Sequence, residues 1–190
     1  GGLVLKDLAP IIPMLKDLNR PLDFSLSFKG QGKNVEIPLL ELSDERYLDV
    51  QGNLSLLNWD AKHDMFIQAE LKNLSVTQPG IRYFMDNLTG SVPSILDRME
   101  FVRFKGSAGG YFHDLQVGGL LQTAAGVVDA NLLINSDLDF KRTYSGGVKS
   151  KNLNLGKLLG DSKFGHTQFN VDLKGFNYND KYPESYIKGI

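Results

Sequence analysis

The sequence predicts a mainly β fold made of repeated antiparallel meanders, and three features predict it. Apolar and polar residues alternate through most of the chain. Successive side chains of a strand point to opposite faces, so such alternation gives a sheet with one apolar and one wet face. The stretches between alternating runs are short and polar or glycine-rich, as hairpins require. Short segments of helical spacing return between groups of four strands, so the meanders repeat.

Taken in order, Asp7 is placed to cap a short helix running to Leu18, with Pro10 in its first turn, and Asn19-Arg20-Pro21 ends it. Leu22, Phe24, Leu26 and Phe28 then alternate with Asp23, Ser25, Ser27 and Lys29. After a turn at 30–33, Val35, Ile37 and Leu39 continue, and the phase shifts at Pro38 to Leu40 and Leu42, the mark of a bulge or an edge. Leu48, Val50, Leu54 and Leu56 share one face of the next strand. Trp59 to Asp64 is a polar connection, and Met65, Ile67, Ala69 and Leu71 follow before the phase slips again at Asn73. From Thr77 to Met99 the period changes: Ile81, Phe84, Met85 and Leu88, then Val92, Ile95, Leu96 and Met99, predict two short helices, the second started by Ser91 and Pro93.

Phe101 to Leu155 reads as four consecutive strands. Val102, Phe104 and Gly106 share one parity; Tyr111, Leu115, Val117, Gly119 and Leu121 the next; then Val128, Ala130, Leu132 and Ile134; then Tyr144, Gly146 and Val148. Ser107 to Gly110, Thr123 to Gly126 and Asp137 to Arg142 are read as the connections. A one-turn helix from Gly156 to Gly160 leads to a strand carrying Phe169, Val171 and Leu173, a turn, and a further strand starting near Tyr186.

Two markers recur. A Lys-polar-Leu element entering a helix stands at Lys6-Asp7-Leu8, Lys72-Asn73-Leu74 and Lys151-Asn152-Leu153; an apolar-Lys-Gly strand end stands at Phe28-Lys29-Gly30, Phe104-Lys105-Gly106 and Leu173-Lys174-Gly175. They divide one continuous domain into a first helix and four-strand repeat (1–76), two short helices and a central four-strand repeat (77–155), and the start of a third repeat (156–190). Each repeat brings too little helix to cover its own apolar face. Two solutions stay open on alternation alone: a closed β-sandwich, or a sheet curled into a groove.

Composition narrows the function classes. The 190 residues carry 42% hydrophobic side chains, enough for a core, and a formal charge of -1, which supplies no basic field for nucleic acid. Cysteine is absent, so disulfides and thiolate chemistry are excluded, and an oxidising compartment is compatible. No signal peptide or long apolar run stands in these residues, so an exported or anchored protein would contain them as an internal piece.

Nothing rises to a catalytic, cofactor or metal signature. His63, His113 and His166 lack ligand spacing. Asp137 and Asp139, beside Asn135 and Ser136, are better explained as a hairpin turn than as a calcium loop. Trp59 with Asp60, His63 and Asp64 could form a sugar-binding corner, but packing over the sheet end is the simpler reading.

Leu48-Asp49-Val50-Gln51-Gly52-Asn53-Leu54-Ser55-Leu56, Ile67 to Thr77, Phe101 to Gly106, Tyr144 to Val148 and Leu153 to Gly160 together resemble AsmA/TamB-like proteins, most closely translocation-and-assembly-module proteins of the Bacteroidetes type. The resemblance implies a β-groove (a β-taco) with an apolar interior, in the periplasmic part of an inner-membrane-anchored protein whose anchor lies outside these residues. It implies transport of phospholipid toward the outer membrane or support of outer-membrane protein assembly. It also implies phospholipid or acyl chains as partners, together with an outer-membrane barrel engaged by regions outside this segment. On that reading the groove is lined by Leu48, Val50, Leu54, Leu56, Ile67, Leu71, Val117, Leu121, Val128, Leu132 and Ile134.

Overall fold

The computed structural model describes residues 1–8, 16–61, 64–136, 142–176 and 184–189. Its strands are β1 (Gly2–Val4), β2 (Pro21–Gln31), β3 (Asn34–Asp44), β4 (Leu48–Leu57), β5 (Phe66–Thr77), β6 (Phe101–Tyr111), β7 (Asp114–Thr123), β8 (Gly126–Ser136), β9 (Arg142–Asn154), β10 (His166–Phe176) and β11 (Glu184–Gly189). All 11 join one sheet in sequence order, each antiparallel to its chain neighbours. The closed sandwich is therefore not formed: there is one layer of sheet, and among the described residues no pairing joins β1 to β11. Helices α1 (Gln78–Thr89) and α2 (Ser94–Arg98) interrupt the meander after β5, and α3 (Leu155–Leu159) after β9, so a helical connection follows every fourth strand from β2.

Local chemistry starts and stops these helices. The Thr77 hydroxyl accepts a hydrogen bond from the Gly80 amide at 3.2 Å, Pro79 occupies the first turn, and Gly90 ends α1 with φ +74°. Asn154 caps α3 by accepting from the Lys157 amide at 2.8 Å, and Gly160 closes it with φ +69°. At the start of the chain the structure holds a 3-10 turn at Leu5–Leu8. Most of the helix predicted between Asp7 and Leu18 lies outside the described residues.

Register assigns every strand residue a face, because directly paired residues of an antiparallel ladder project the same way. One chain of partners runs Leu42, Val50, Leu74, Phe104, Leu121 and Val128, and a parallel row runs Ile37, Leu54, Ala69, Ala108, Val117 and Leu132. The opposite face carries Glu41, Gln51, Asn73, Arg103 and Gln122. The two faces thus read as one apolar surface and one polar surface from β2 to β10.

The sheet is creased along a line across its strands. The register shifts between Ser27 and Lys29, Ile37 and Leu40, Gln51 and Gly52, and Leu71 and Leu74, as an extra residue on β3 and another on β5 each displace the pairing on both sides. These two bulges match the phase slips at Pro38 and Asn73. A bulge bends its strand and sharpens the local twist. In the second repeat the ladders β6–β7–β8–β9 pair without a shift, and glycines continue the line: Gly106 opposite Gly119, and Gly146 opposite Leu132. Side chains on these glycines would point to the apolar face and overlap a neighbouring carbonyl oxygen, that of Gly118, Lys105 and Asn131 respectively. The backbone is crowded on that side, and the result is a curled, groove-like sheet.

Aromatic rings fill the space the glycines leave. The Phe104 ring lies over Gly106 and Gly119, the Phe28 ring over Gly30, and the Tyr144 ring over Gly175. Gly30, Gly106 and Gly175 are the three glycines of the recurrent apolar-Lys-Gly marker. In the first two copies the ring comes from two residues earlier on the same strand; in the third it comes from β9 next door.

The compact core sits at one edge of the groove, where the helices lie. Ala125, Leu153 and Leu158 form its centre, with Met99, Val128, Leu155 and Phe169 packed around them, and Leu18, Leu22 and Ile81 are buried toward β2 and α1. The opposite edge, formed by the turns after β2, β4 and β6, exposes Phe28, Leu57, Trp59, Tyr111 and Phe112. The accessible surface is 12478 Å² for a 21.1 kDa chain. A compact monomer of this mass exposes about 9,000 Å². A single sheet without a covering layer contributes to this excess.

Two expectations within the central meander are corrected. Ser107 to Gly110 is not a connection but the second half of β6, paired with β5 on one side and β7 on the other; the turn is Phe112-His113. Close strand approach accounts for Gly110, where a side chain would overlap the Asp114 carbonyl oxygen, whereas a side chain on Gly109 would meet nothing within 4 Å. Tyr111 consequently ends β6 on the polar face, opposite Phe66, and does not share the face of Leu115 and Val117.

Candidate functional site

All of the expected groove residues fall on the apolar face. Leu48, Val50, Leu54 and Leu56 project from β4, and Ile67 and Leu71 from β5, the latter phased by the bulge that brings Leu71 opposite Gly52. Val117 and Leu121 project from β7 and pair directly with Leu132 and Val128 of β8, while Ile134 pairs with Leu115. Parity without the bulges would place the start and the end of β5 on opposite faces; the bulge restores one continuous surface.

Curvature shields this face in the absence of a second layer. Val50 is buried and the other ten residues are half-buried, while polar-face neighbours such as Gln51, Gln68, Gln116 and Leu133 are exposed. Leu26 and Phe28 are the exposed large residues of the apolar face on β2, at 46% and 61%. Such a surface has no hydrogen-bonding groups of its own to orient a ligand, so what it can recognise is apolar length rather than a particular head group.

The polar face holds a feature that parity reading does not anticipate. A depression of about 790 Å³ lies across β4 to β8 on that side. Its floor is Ser107, Gly109 and Gly118, small residues brought side by side on β6 and β7. Its walls include Asn53, Gln68, Glu70, Gln116 and Asn131. Asn53 donates to the Glu70 carboxylate at 3.0 Å, and Gln116 donates to the Asn131 side-chain oxygen at 3.2 Å. The available signal was the run of small residues of one parity at 107 and 109, but it reads as a turn until the register is known.

A second depression of about 620 Å³ on the same face runs from Leu120 and Val127 to Lys149, Lys151 and Asn170. Leu120 and Val127 are exposed apolar residues on an otherwise polar surface.

The candidates for chemistry stay apart. His113 stacks on Tyr111 at the β6–β7 turn, and His166 makes side-chain hydrogen bonds with Asn152 and Asn154. His63, Asp137 and Asp139 lie outside the described residues. Trp59 is 55% exposed and does not pack over the sheet end; its amide donates to the Lys33 carbonyl at 3.2 Å, and Asp60 pairs with Lys33. Among the described residues no three His, Cys, Asp or Glu side chains gather to hold a metal ion. No described helix is long and apolar enough to cross a membrane.

Compared with known proteins, the chain matches no protein-family model, no curated protein and no solved structure.

Proposed function

We propose that this chain is a segment of an extended β-groove protein of the AsmA/TamB-like kind, and that its apolar face holds the acyl chains of lipids. One observation carries the reading: Leu48 to Ile134, across the five strands β4 to β8, present a continuous half-buried apolar surface with no second layer over it. Side chains in such a surface are hydrophobic by area and indifferent to position along the groove. Each buried methylene contributes about 0.8 kcal/mol, so ten of them contribute about 8 kcal/mol before the loss of chain freedom. That holds a lipid without fixing it, and a lining of similar aliphatic residues lets it slide from one strand to the next. In this reading the segment works in the periplasm, moves lipid toward the outer membrane or supports protein assembly there, and meets its outer-membrane barrel partner through other regions.

Mass spectrometry of organic extracts from the purified protein tests the proposal. Phospholipid or fatty acid is expected in stoichiometric amount from the wild type, and none from Leu132→Asp, which puts a charge among the aliphatic side chains. A lipid-free wild type, prepared without detergent and still folded, would contradict it.

A further inference from the structure

We propose that the depression on the polar face is a separate binding site, for a neutral oligosaccharide. Its volume, about 790 Å³, lies within the range of small-molecule sites. It reaches from Asn53 on β4 to Asn131 on β8, four interstrand spacings or about 19 Å, room for several sugar rings in a row. The floor of Ser107, Gly109 and Gly118 is flat because its side chains are nearly absent.

The wall chemistry selects the ligand. A hydroxyl both donates and accepts, and a carboxamide offers both partners on one flat group. Asn53, Gln68, Gln116 and Asn131 supply four carboxamides. Three of them are held in place already, Asn53 by Glu70, and Gln116 and Asn131 by each other, which reduces the entropy lost on binding. The two carboxylates, Glu70 and Asp129, disfavour anions, and the Asp129 charge is offset by Lys149 at 3.0 Å. No Lys or Arg lines the depression, so phosphate, nucleotide and sulfated glycans lack a counter-charge. An acyl chain would find no leucine, isoleucine or valine in this lining, where the apolar groups other than Phe66 are alanine and glycine.

One end adds an aromatic surface. Phe66 lines the depression and is held edge-on by Tyr111, with ring centroids 5.5 Å apart and planes at 85°. A half-buried ring at the end of a polar trough suits the C–H face of a pyranose, apolar on one side and hydroxylated at its rim.

Saturation-transfer NMR and calorimetry on the whole chain test this, with maltohexaose and cellohexaose as neutral probes and inorganic phosphate and a heparin hexasaccharide as anionic ones. Saturation transfer to at least one neutral hexasaccharide at millimolar concentration is expected, with none to the heparin hexasaccharide and no binding heat from phosphate, whose binding only calorimetry reads. Ser107→Phe and Gly118→Phe, each placing a ring on the floor from a different strand, are expected to weaken binding by about tenfold or more. Ser107 is exposed, and the nearest atoms to a side chain on Gly118 are at 3.7 Å, so both variants have room to fold. No transfer to either neutral probe, stronger binding of the anions, or unchanged binding by both folded variants would overturn the proposal. The lipid content of the same preparations is a separate readout, so the apolar groove and the polar site stand or fall independently.

Discussion

Gly146→Ala probes the crease that turns a flat meander into a groove. Gly146 sits in β9 opposite Leu132, with φ +145°, a backbone conformation that side-chain-bearing residues rarely adopt. A methyl group there would overlap the Asn131 carbonyl oxygen and come within 2.9 Å of the Leu132 Cα. The unfavourable conformation costs about 1–3 kcal/mol. Relieving the overlap moves β8 from β9 and weakens one or two ladder hydrogen bonds, at about 1 kcal/mol each. Together these lower stability by roughly 2–5 kcal/mol, a large share of the roughly 5–15 kcal/mol typical of a domain. At about 2–4 °C per kcal/mol for a chain of this size, Tm should fall by roughly 4–20 °C.

The adjacent Gly147→Ala is the control. Its side chain would point to the polar face, where the nearest atom is a carboxylate oxygen of Asp172 at 3.8 Å. The same chemical change is expected there to leave stability unchanged or raise it by up to about 1 kcal/mol. Urea denaturation followed by far-ultraviolet circular dichroism measures both. If the two variants agree within about 0.5 kcal/mol, the close approach of β8 and β9 is not what requires glycine at 146.

Three other perturbations address the faces, the core and the helices. Leu132→Asp on the apolar face should keep its strand content but lose bound lipid, whereas Leu120→Asp, at a 50% exposed position of the polar face, should change stability by no more than about 0.5 kcal/mol and keep lipid. Leu158→Ala removes a residue 9% exposed from the cluster with Ala125 and Leu153, and should cost about 2–5 kcal/mol in urea denaturation; a loss much below that would mean α3 is not anchored there. Arg82 donates to Asp97 at 2.6 Å and 3.1 Å, and that hydrogen bond holds the Asp97 carboxyl below the ordinary carboxylate value. Its folded value is the lower one, so the pair's contribution is present above the unfolded carboxyl pKa and is lost as pH falls through the folded value. Carbon-detected NMR titration should find the Asp97 value rising toward normal in Arg82→Ala, with the two proteins converging in stability in acid.

How far the fold could be read from sequence depended on whether a residue's meaning was local. Alternation at Leu22 to Lys29, Leu48 to Leu56 and Val128 to Ile134 gave both strands and faces correctly, since side-chain parity needs no partner. The phase slips at Pro38 and Asn73 marked true bulges for the same reason. Ser107 to Gly110 failed because glycine has two uses, turn formation and close strand approach, and only the neighbouring strands distinguish them. Choosing between groove and sandwich needed the pairing of β5 with β6, which continues one sheet across a two-helix connection. The polar depression was illegible because its floor joins Ser107 and Gly118, residues of different strands whose adjacency is a property of register alone.

Site-specific photocrosslinking on neighbouring residues of one strand separates the two faces most directly. A photoreactive amino acid replaces Leu132 or, one residue on, Leu133; the first projects to the apolar face and the second to the polar face. After irradiation in cells, phospholipid or fatty-acid adducts identified by mass spectrometry are expected at 132, and likewise at 117 and 54, but not at 133, 116 or 55. Adducts on both parities, or on neither, would contradict an acyl-binding groove on the apolar face.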